Sequence, residues 1–163
     1  MKIRKATELD VPRVLEIYSS ARAFMRETGN PNQWAGVYPA LEDVQLDIEL
    51  SRLYVCVEGE ELLGVFCCFE GADPTYLKIY DGQWQNDAPY AVIHRIAVAE
   101  NAHGRGVAAA CFNYAFEKSS NVRIDTHRDN LPMQRMLARN GLILCGEITL
   151  LSGAKRNAYE KMI

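Results

Sequence analysis

The chain has 163 residues, of which 48% are hydrophobic and 24% charged, a balance typical of one globular domain spanning residues 1–163. The net charge of −3 argues against a nucleic-acid partner, since such proteins carry an excess of basic residues. The longest apolar run, residues 62–69, is too short to cross a membrane, and residues 1–6 lack the apolar core of a signal peptide. These features predict a cytoplasmic protein without a membrane partner.

The five cysteines lie in apolar contexts, and no Cys-x-x-Cys pair is present. We interpret them as buried, reduced side chains of a cytoplasmic protein, and we predict no metal site. Cys67 and Cys68 could not hold an ion from one face, because neighbours along a strand point to opposite sides of the sheet.

The first half of the chain alternates between strand-like and helix-like patterns. Alternation at residues 1–4 predicts a short strand, and apolar residues at helical spacing predict helices that end near Glu27 and that cover 40–50. Residues 71–89 hold prolines, glycines and two aromatic islands, and connections of this length are often functional. Two strand-like runs that meet at Gly59 predict a hairpin, Leu53–Glu58 and Glu61–Glu70.

The second half predicts a β-α-β unit followed by a helix and a hairpin. Strands at 91–98 and 122–126 flank an alanine-rich helix at 106–118, so they should be parallel with a right-handed crossover. A further helix is predicted at 131–139. The hairpins imply antiparallel pairs, so the fold class is α/β with a mixed, mostly antiparallel sheet. Two strands complete the chain, Leu142–Leu150 and Arg156–Met162.

The turn before the alanine-rich helix contains Gly104 and Gly106. Small residues there let backbone N–H groups approach an anion, and a helix N-terminus adds about half a positive charge. With Ala109 these glycines satisfy the dinucleotide pattern G-x-G-x-x-(G/A), and Asp125 ends the next strand. Against a dinucleotide, five residues separate Val98 from Gly104, whereas the fingerprint's glycines follow the strand directly.

The same turn and the strand before it resemble the GNAT superfamily of acetyl-CoA-dependent N-acyltransferases. The family's pyrophosphate motif, (Q/R)-x-x-G-x-(G/A), maps onto residues 103–108, with histidine where Gln or Arg is usual. Asn130 and Gly141 match two positions of a later family motif. The resemblance implies acetyl-CoA as cosubstrate and two parallel strands that diverge at their C-terminal ends. The residues it assigns to the cosubstrate are Ile96, Ala97, Val98, His103, Gly104, Arg105, Gly106, Val107, Ala108 and Asn130.

Two histidines are candidates for the general base, which would remove a proton from the amine that such an enzyme acetylates. An imidazole pKa near ~6.5 suits a base at neutral pH. His94 lies two residues before Ile96, so the two side chains share a face unless a bulge intervenes. The arylalkylamine branch of the superfamily carries a histidine at the matching position; a half-buried structural histidine is the alternative. His127 follows the second parallel strand, where either catalysis or turn capping fits.

The family's general acid, a tyrosine, should fall at Leu137, which cannot donate a proton. Water, Tyr90 or Tyr159 are the alternatives for reprotonating the thiolate. Candidates for the acceptor site are aromatic residues and one carboxylate near the expected cleft, although ordinary packing also explains the aromatic ones: Trp34, Tyr38, Trp84, Tyr90 and Asp125.

The sequence thus predicts acetyl transfer to a primary amine of a small molecule or peptide, by direct attack in a ternary complex. A homodimer is compatible with this prediction. Two other classes stay open, a non-catalytic acyl-CoA-binding module and a dinucleotide-binding oxidoreductase.

Overall fold

The helices and strands form where the hydrophobic pattern predicts them, with boundaries close to those expected. The computed structural model describes all residues, 1–163. The strands are β1 (Lys2–Lys5), β2 (Leu53–Glu58), β3 (Glu61–Glu70), β4 (Ala91–Val98), β5 (Asn121–Thr126), β6 (Ile143–Thr149) and β7 (Lys155–Met162). The helices are α1 (Val11–Glu27), α2 (Leu41–Glu49), α3 (Val107–Lys118) and α4 (Leu131–Arg139). None of these helices has the length and apolar content needed to span a bilayer.

The strands form one mixed sheet in the order β1-β2-β3-β4-β5-β7-β6. Every neighbouring pair is antiparallel except β4 and β5, which are parallel. The predicted mixed α/β class and the single parallel unit are therefore confirmed. The last strand lies between β5 and β6, an order that the hairpin pattern did not reveal.

Helices cover both faces of this sheet. Gly64 faces α3, where a Cβ atom would lie 2.6 Å from Cγ1 of Val107, so the helix approaches closely because no side chain intervenes. Cys67, on the opposite face, is fully buried beneath α1 and α2, and burial raises the pKa of its thiol to about 12. Four cysteines are buried, as predicted, whereas Cys145 is partly exposed; none forms a disulfide.

A β-bulge interrupts the ladder between β3 and β4. Cys67 faces His94 and Val65 faces Ala97, so a single residue of β3 opposes two residues of β4. Arg95, within the bulge, has a φ of 50°, in the left-handed region that side chains other than glycine rarely adopt. The extra residue shifts the alternation of side chains along β4.

This shift corrects the expected placement of His94. Because facing residues in an antiparallel pair share a face, His94 lies on the same face as Ala97 and not on that of Ile96. A face shared with Ile96 was expected only for a strand without a bulge, and the bulge removes it.

A buried ionic network holds the bulge in place. The guanidinium of Arg95 donates to both carboxylate oxygens of Asp47 at 2.7 and 2.8 Å, and to the hydroxyl of Tyr38 at 2.9 Å. Arg52 donates to the same carboxylate, which is only 1% exposed. The hydroxyl of Tyr18 donates to the backbone carbonyl of Arg95. Residues of α1 and α2 therefore fix the strained segment of β4.

The two parallel strands separate immediately before the bulge. Only Ala91 with Val122 and Val92 with Arg123 are paired between β4 and β5. Beyond Val92 the β5-facing edge of β4 has no partner strand. This divergence at the C-terminal ends agrees with the predicted parallel unit and opens a cleft in the sheet.

We expect Asp47→Asn to lower the free energy of unfolding by about 3 kcal/mol, because it leaves two arginines without their shared carboxylate. Urea denaturation measures the loss. Glu49→Gln, on the exposed side of the same helix, is the control and should change stability by less than about 0.5 kcal/mol. Equal effects of the two substitutions would contradict a structural role for the network.

Candidate active site

A groove of about 870 Å³ runs from the divergent strands to the first turn of α3. Helices α1 and α4 form its other walls. Nine of the ten residues assigned to the cosubstrate line this groove: Ile96, Ala97, Val98, His103, Gly104, Gly106, Val107, Ala108 and Asn130. The tenth, Arg105, forms ion pairs with Glu58 and Glu61 of the β2–β3 hairpin, outside the groove lining.

Unsatisfied backbone N–H groups are concentrated at one end of the groove. Gly104 and Gly106 adopt φ values of 78° and 81°, which turn the chain tightly before α3. The N–H groups of these glycines, of Val107 and of Ala108 donate to no acceptor in the protein. The positive end of the α3 dipole lies at the same place. This turn is hereafter called the amide cradle, and its donors fit a diphosphate.

Two side chains shape the groove next to the cradle. The ring of His103 packs edge-to-face against Phe24, with ring centroids 5.2 Å apart. Asn130 accepts a hydrogen bond from the N–H of Met133 and thereby caps α4. Its amide nitrogen donates to the side-chain oxygen of Gln33 at 2.9 Å. Asn130 thus positions α4 along the groove.

A second cavity, of about 360 Å³, adjoins the groove. Met25, Ile96 and Met133 line both spaces, so the two meet where β4 and β5 diverge. The second cavity contains four of the residues that the sequence analysis gave as candidates for catalysis or substrate binding: His94, Asp125, Trp34 and Tyr38. Because three of these four are candidates for the acceptor site, this space is hereafter called the acceptor cavity.

His94 lies between two carboxylates in the acceptor cavity. Its Nε2 lies 2.7 Å from Oδ2 of Asp73, and its Nδ1 lies 3.8 Å from Oδ2 of Asp125. The buried Tyr76 hydroxyl donates to Asp125 at 2.7 Å. Thr75 donates to Asp73 through both its hydroxyl and its N–H. The cluster brings together groups from β4, β5 and residues 73–76.

The carboxylate of Asp73 determines which nitrogen of His94 can accept a proton. Burial alone raises the pKa of Asp73, but hydrogen bonds from His94 and Thr75 outweigh it and lower the pKa to about 2. Asp73 is therefore ionised at neutral pH and accepts a hydrogen bond from Nε2–H. In the neutral form of the His94 ring we assign the proton to Nε2, which leaves the lone pair on Nδ1.

Tyr76 acts as a fixed donor within the cluster. Burial raises its pKa well above the ordinary value, and the neighbouring Asp125 carboxylate raises it further. The phenol therefore stays protonated and orients the Asp125 carboxylate at the edge of the acceptor cavity.

Sequence reasoning did not identify Asp73, Thr75 or Tyr76. They lie in the 71–89 connection, whose length indicated a functional segment without showing which side chains contribute. The pairing of Asp73 with His94 joins residues 21 positions apart. It depends on how this connection folds back onto β4, which no local pattern specifies.

Two of the nominated aromatic residues lie outside the acceptor cavity. Trp84 and Tyr90 pack on either side of Arg123, whose guanidinium carbon is 4.2 Å from each ring centroid. Arg123 also pairs with the buried Glu160. Tyr90 contributes indirectly, because its hydroxyl accepts a hydrogen bond from the N–H of Asp73.

The remaining candidates also lie outside both cavities. Nδ1 of His127 accepts a hydrogen bond from the N–H of Asp129, the turn-capping arrangement that the sequence left open. Burial, together with the charge of Arg156, lowers the pKa of His127. Leu137 is completely buried in the core, and Tyr159 is 5% exposed.

Comparison with known proteins establishes the family. Residues 14–142 match the family model described as the acetyltransferase (GNAT) family, and the chain belongs to that family. A search among curated proteins gives no match. The dinucleotide-binding alternative does not agree with this family or with the mostly antiparallel sheet.

Solved structures agree with this placement. A GNAT-family acetyltransferase from Streptococcus agalactiae 2603 has 30% sequence identity and a TM-score of 0.91, with coverage of 99% of this chain and 95% of its own. Two others share the fold. A GNAT-family acetyltransferase from Listeria monocytogenes has 17% identity, a TM-score of 0.71, and coverage of 99% and 94%. A ribosomal-protein-alanine N-acetyltransferase from Brucella melitensis has 17% identity, a TM-score of 0.61, and coverage of 100% of both chains.

The Asp73 carboxylate should make stability depend on acidity. Its folded pKa of about 2 lies below the ordinary 3.8. Its contribution of about 2 kcal/mol is therefore complete above pH 3.8 and disappears as the pH falls through 2. Urea titrations of wild type and Asp73→Asn across this range should converge at low pH. Asp87→Asn, an exposed carboxylate in the same connection, serves as the control. A wild-type advantage independent of pH would contradict stabilisation by the ionised Asp73 carboxylate.

Proposed function

We propose that this protein transfers the acetyl group of acetyl-CoA to a primary amine of a small molecule or peptide. The observation that best supports this proposal is that the groove and the acceptor cavity join. The groove with the amide cradle meets the cavity containing His94 at Met25, Ile96 and Met133. Family membership supports acyl transfer, and acetyl-CoA is the cosubstrate that the GNAT resemblance implies.

The amide cradle would hold the diphosphate of the cosubstrate. Its free N–H groups and the α3 dipole favour an anion, and Arg139 adds a basic side chain to the groove lining. The unpaired edge of β4 beyond Val92 would accept the extended pantetheine arm as an additional strand. A backbone N–H near Ile96–Val98 would stabilise the negative charge that develops on the acyl oxygen, worth about 2.7–4 kcal/mol in comparable acyl transfers.

Acetyl-CoA supplies an activated thioester, and the protein supplies the base and the orientation. The amine must arrive neutral, although an amine with a pKa near ~10 is mostly protonated at neutral pH. Nδ1 of His94 would take the proton, directly or through water, while Asp125 attracts the ammonium form. A C–N bond forms, the C–S bond breaks, and coenzyme A leaves as thiolate.

Direct attack in a ternary complex is favoured over an acyl-enzyme. No cysteine lines either cavity, and burial raises the pKa of Cys68 to about 11, which disfavours the nucleophilic thiolate. Trp34 and Tyr38 line the cavity on the α1 side, where they would contact the acceptor.

A non-catalytic acyl-CoA-binding module is the second candidate. Leu137 favours it, because this leucine occupies the expected position of the general acid and is fully buried. Neither Tyr90 nor Tyr159 lines the groove or the acceptor cavity, so neither is placed to act as the general acid instead. Protonation of the thiolate by water is compatible with catalysis, since a thiol with a pKa near ~8.5 is a tolerable leaving group.

His94→Ala should lower turnover roughly 10²–10⁴-fold while leaving acetyl-CoA affinity almost unchanged, because the base is removed and the groove is intact. The measurement is thiol release with acetyl-CoA across a panel of amines, amino acids and peptide N-termini, alongside calorimetric binding of acetyl-CoA. His127→Ala is the comparison. A larger loss from His127→Ala than from His94→Ala would assign the base differently, and wild-type binding without any turnover would favour the binding module.

Ala109→Glu should weaken acetyl-CoA binding by about tenfold or more, because it places a carboxylate in the groove at the first turn of α3. Glutamate near a helix N-terminus is compatible with the helix dipole, so folding should be retained. Asn113→Glu adds the same charge one turn further along α3, at an exposed position outside the groove lining, and should leave the dissociation constant near the wild-type value. Undiminished affinity of Ala109→Glu would place the diphosphate elsewhere.

A further inference from the structure

One arginine in the acceptor cavity lacks an acidic partner. Arg156, on β7, is 7% exposed and lines the cavity. Its guanidinium donates to the backbone carbonyls of Lys155 at 3.0 Å and Gln33 at 3.4 Å. The other two largely buried arginines are paired with carboxylates, Arg95 with Asp47 and Arg123 with Glu160. A buried guanidinium without an anion is costly, which suggests that a ligand supplies one.

The charge of Arg156 is only weakly compensated by its surroundings. Burial lowers the pKa of its guanidinium, and this effect outweighs the opposing influence of Asp125 and Tyr38. An arginine keeps its proton nonetheless. Two of its five N–H donors contact backbone carbonyls, so donors remain for a further acceptor.

Gln33 lies beside Arg156 and also has spare donors. Its side-chain oxygen accepts from Nδ2 of Asn30 and of Asn130, and at 3.4 Å from Thr126 and from the N–H of His127. Because all of these neighbours are hydrogen-bond donors, the atom they contact is the amide oxygen of Gln33. The N–H groups of the same amide therefore have no acceptor in the protein. Gln33 also lines the cavity. Two adjacent side chains therefore have hydrogen-bond donors available in the same space.

A negative charge, that of Asp125, lies close to Arg156 on the same face of the sheet. Asp125 faces Ala158 in the ladder between β5 and β7, and Arg156 lies two residues before Ala158. Asp125 and Arg156 are therefore diagonal neighbours, with Cα atoms about 7–8 Å apart. They form no ion pair with each other. The cavity thus has an anionic end at His94 and Asp125 and a cationic end at Arg156.

From this juxtaposition we propose that Arg156 and Gln33 form a carboxylate subsite, and that the acceptor is a small primary amine carrying a carboxylate, of the amino-acid class. The proposal rests on the acetyl transfer proposed above and specifies its substrate. Arg156 binds the carboxylate while the amino group lies toward His94 and Asp125. A guanidinium matches the two carboxylate oxygens geometrically, and the cavity volume of about 360 Å³ is near the lower end for ligand sites.

The other charged groups of the cavity do not compete for this role. Arg95 also lines it, but Asp47 and Tyr38 occupy its guanidinium. A peptide N-terminus would present an amide where a free amino acid presents its carboxylate. The subsite therefore favours the free amino acid over a peptide.

The test compares proteinogenic amino acids with their carboxamides and their decarboxylated amines in the thiol-release assay with acetyl-CoA. For the best acceptor, the free acid should have a kcat/KM about 10- to 100-fold above that of the carboxamide or the amine. Arg156→Gln should bring this ratio near one, mainly through a raised KM, and Arg156→Lys should restore part of it. Lys155→Gln, an exposed neighbour on β7, is the control and should preserve the ratio.

The outcomes separate this inference from the function on which it rests. Turnover of amines or carboxamides as fast as acids would retain acetyl transfer and overturn the carboxylate subsite. Absence of turnover with every acceptor would overturn the proposed function. A thermal-shift measurement then tests the subsite directly. Amino acids that stabilise the wild type but not Arg156→Gln support it, and amino acids that stabilise neither protein oppose it. Binding of acetyl-CoA by Arg156→Gln verifies that the variant is folded.

Discussion

The break between β4 and β5 is the constraint on which the site depends. Pairing stops at Val92, and within three residues the strand enters a left-handed conformation at Arg95. Such a conformation in a non-glycine residue costs free energy and persists only when its surroundings fix it. Here Asp47 receives the Arg95 side chain and Tyr18 binds its backbone carbonyl. Residues on α1 and α2 thus maintain an opening in the sheet that hydrogen bonding alone would close.

The connection at 71–89 provides the second part of the site. It contributes Asp73, which orients His94, and Tyr76, which orients Asp125, each through a hydrogen bond. Close backbone approach anchors this connection, since a Cβ atom on Gly82 would lie 1.9 Å from the carbonyl oxygen of Cys145. A single isolated bridge, from Tyr80 to Glu147, adds to the contact with β6. The catalytic histidine proposed here is therefore oriented by a segment outside the regular sheet.

Charge is distributed unevenly between the two spaces. The amide cradle offers backbone dipoles at one end of the groove, so anion binding there would depend on chain conformation more than on side-chain identity. The acceptor cavity instead uses side chains of both signs, with Asp125 and Arg156 on one face of the sheet. A cradle of backbone N–H groups would suit a common cosubstrate, whereas a cavity built from side chains can specify one acceptor. This division explains how one fold can serve different substrates.

The order of hydrophobic and polar residues was sufficient to predict the strands, the helices, the parallel unit and the glycine turn, because these features follow from local periodicity and backbone freedom. The motif at 103–108 also indicated the family. Tertiary structure decided three other features: the bulge at Arg95, the position of β7 between β5 and β6, and the pairing of Asp73 with His94. It also left Trp84 and Tyr90 against Arg123 and placed Arg156 in the cavity. These features depend on contacts between residues distant in the chain, whose energies no single stretch of sequence contains.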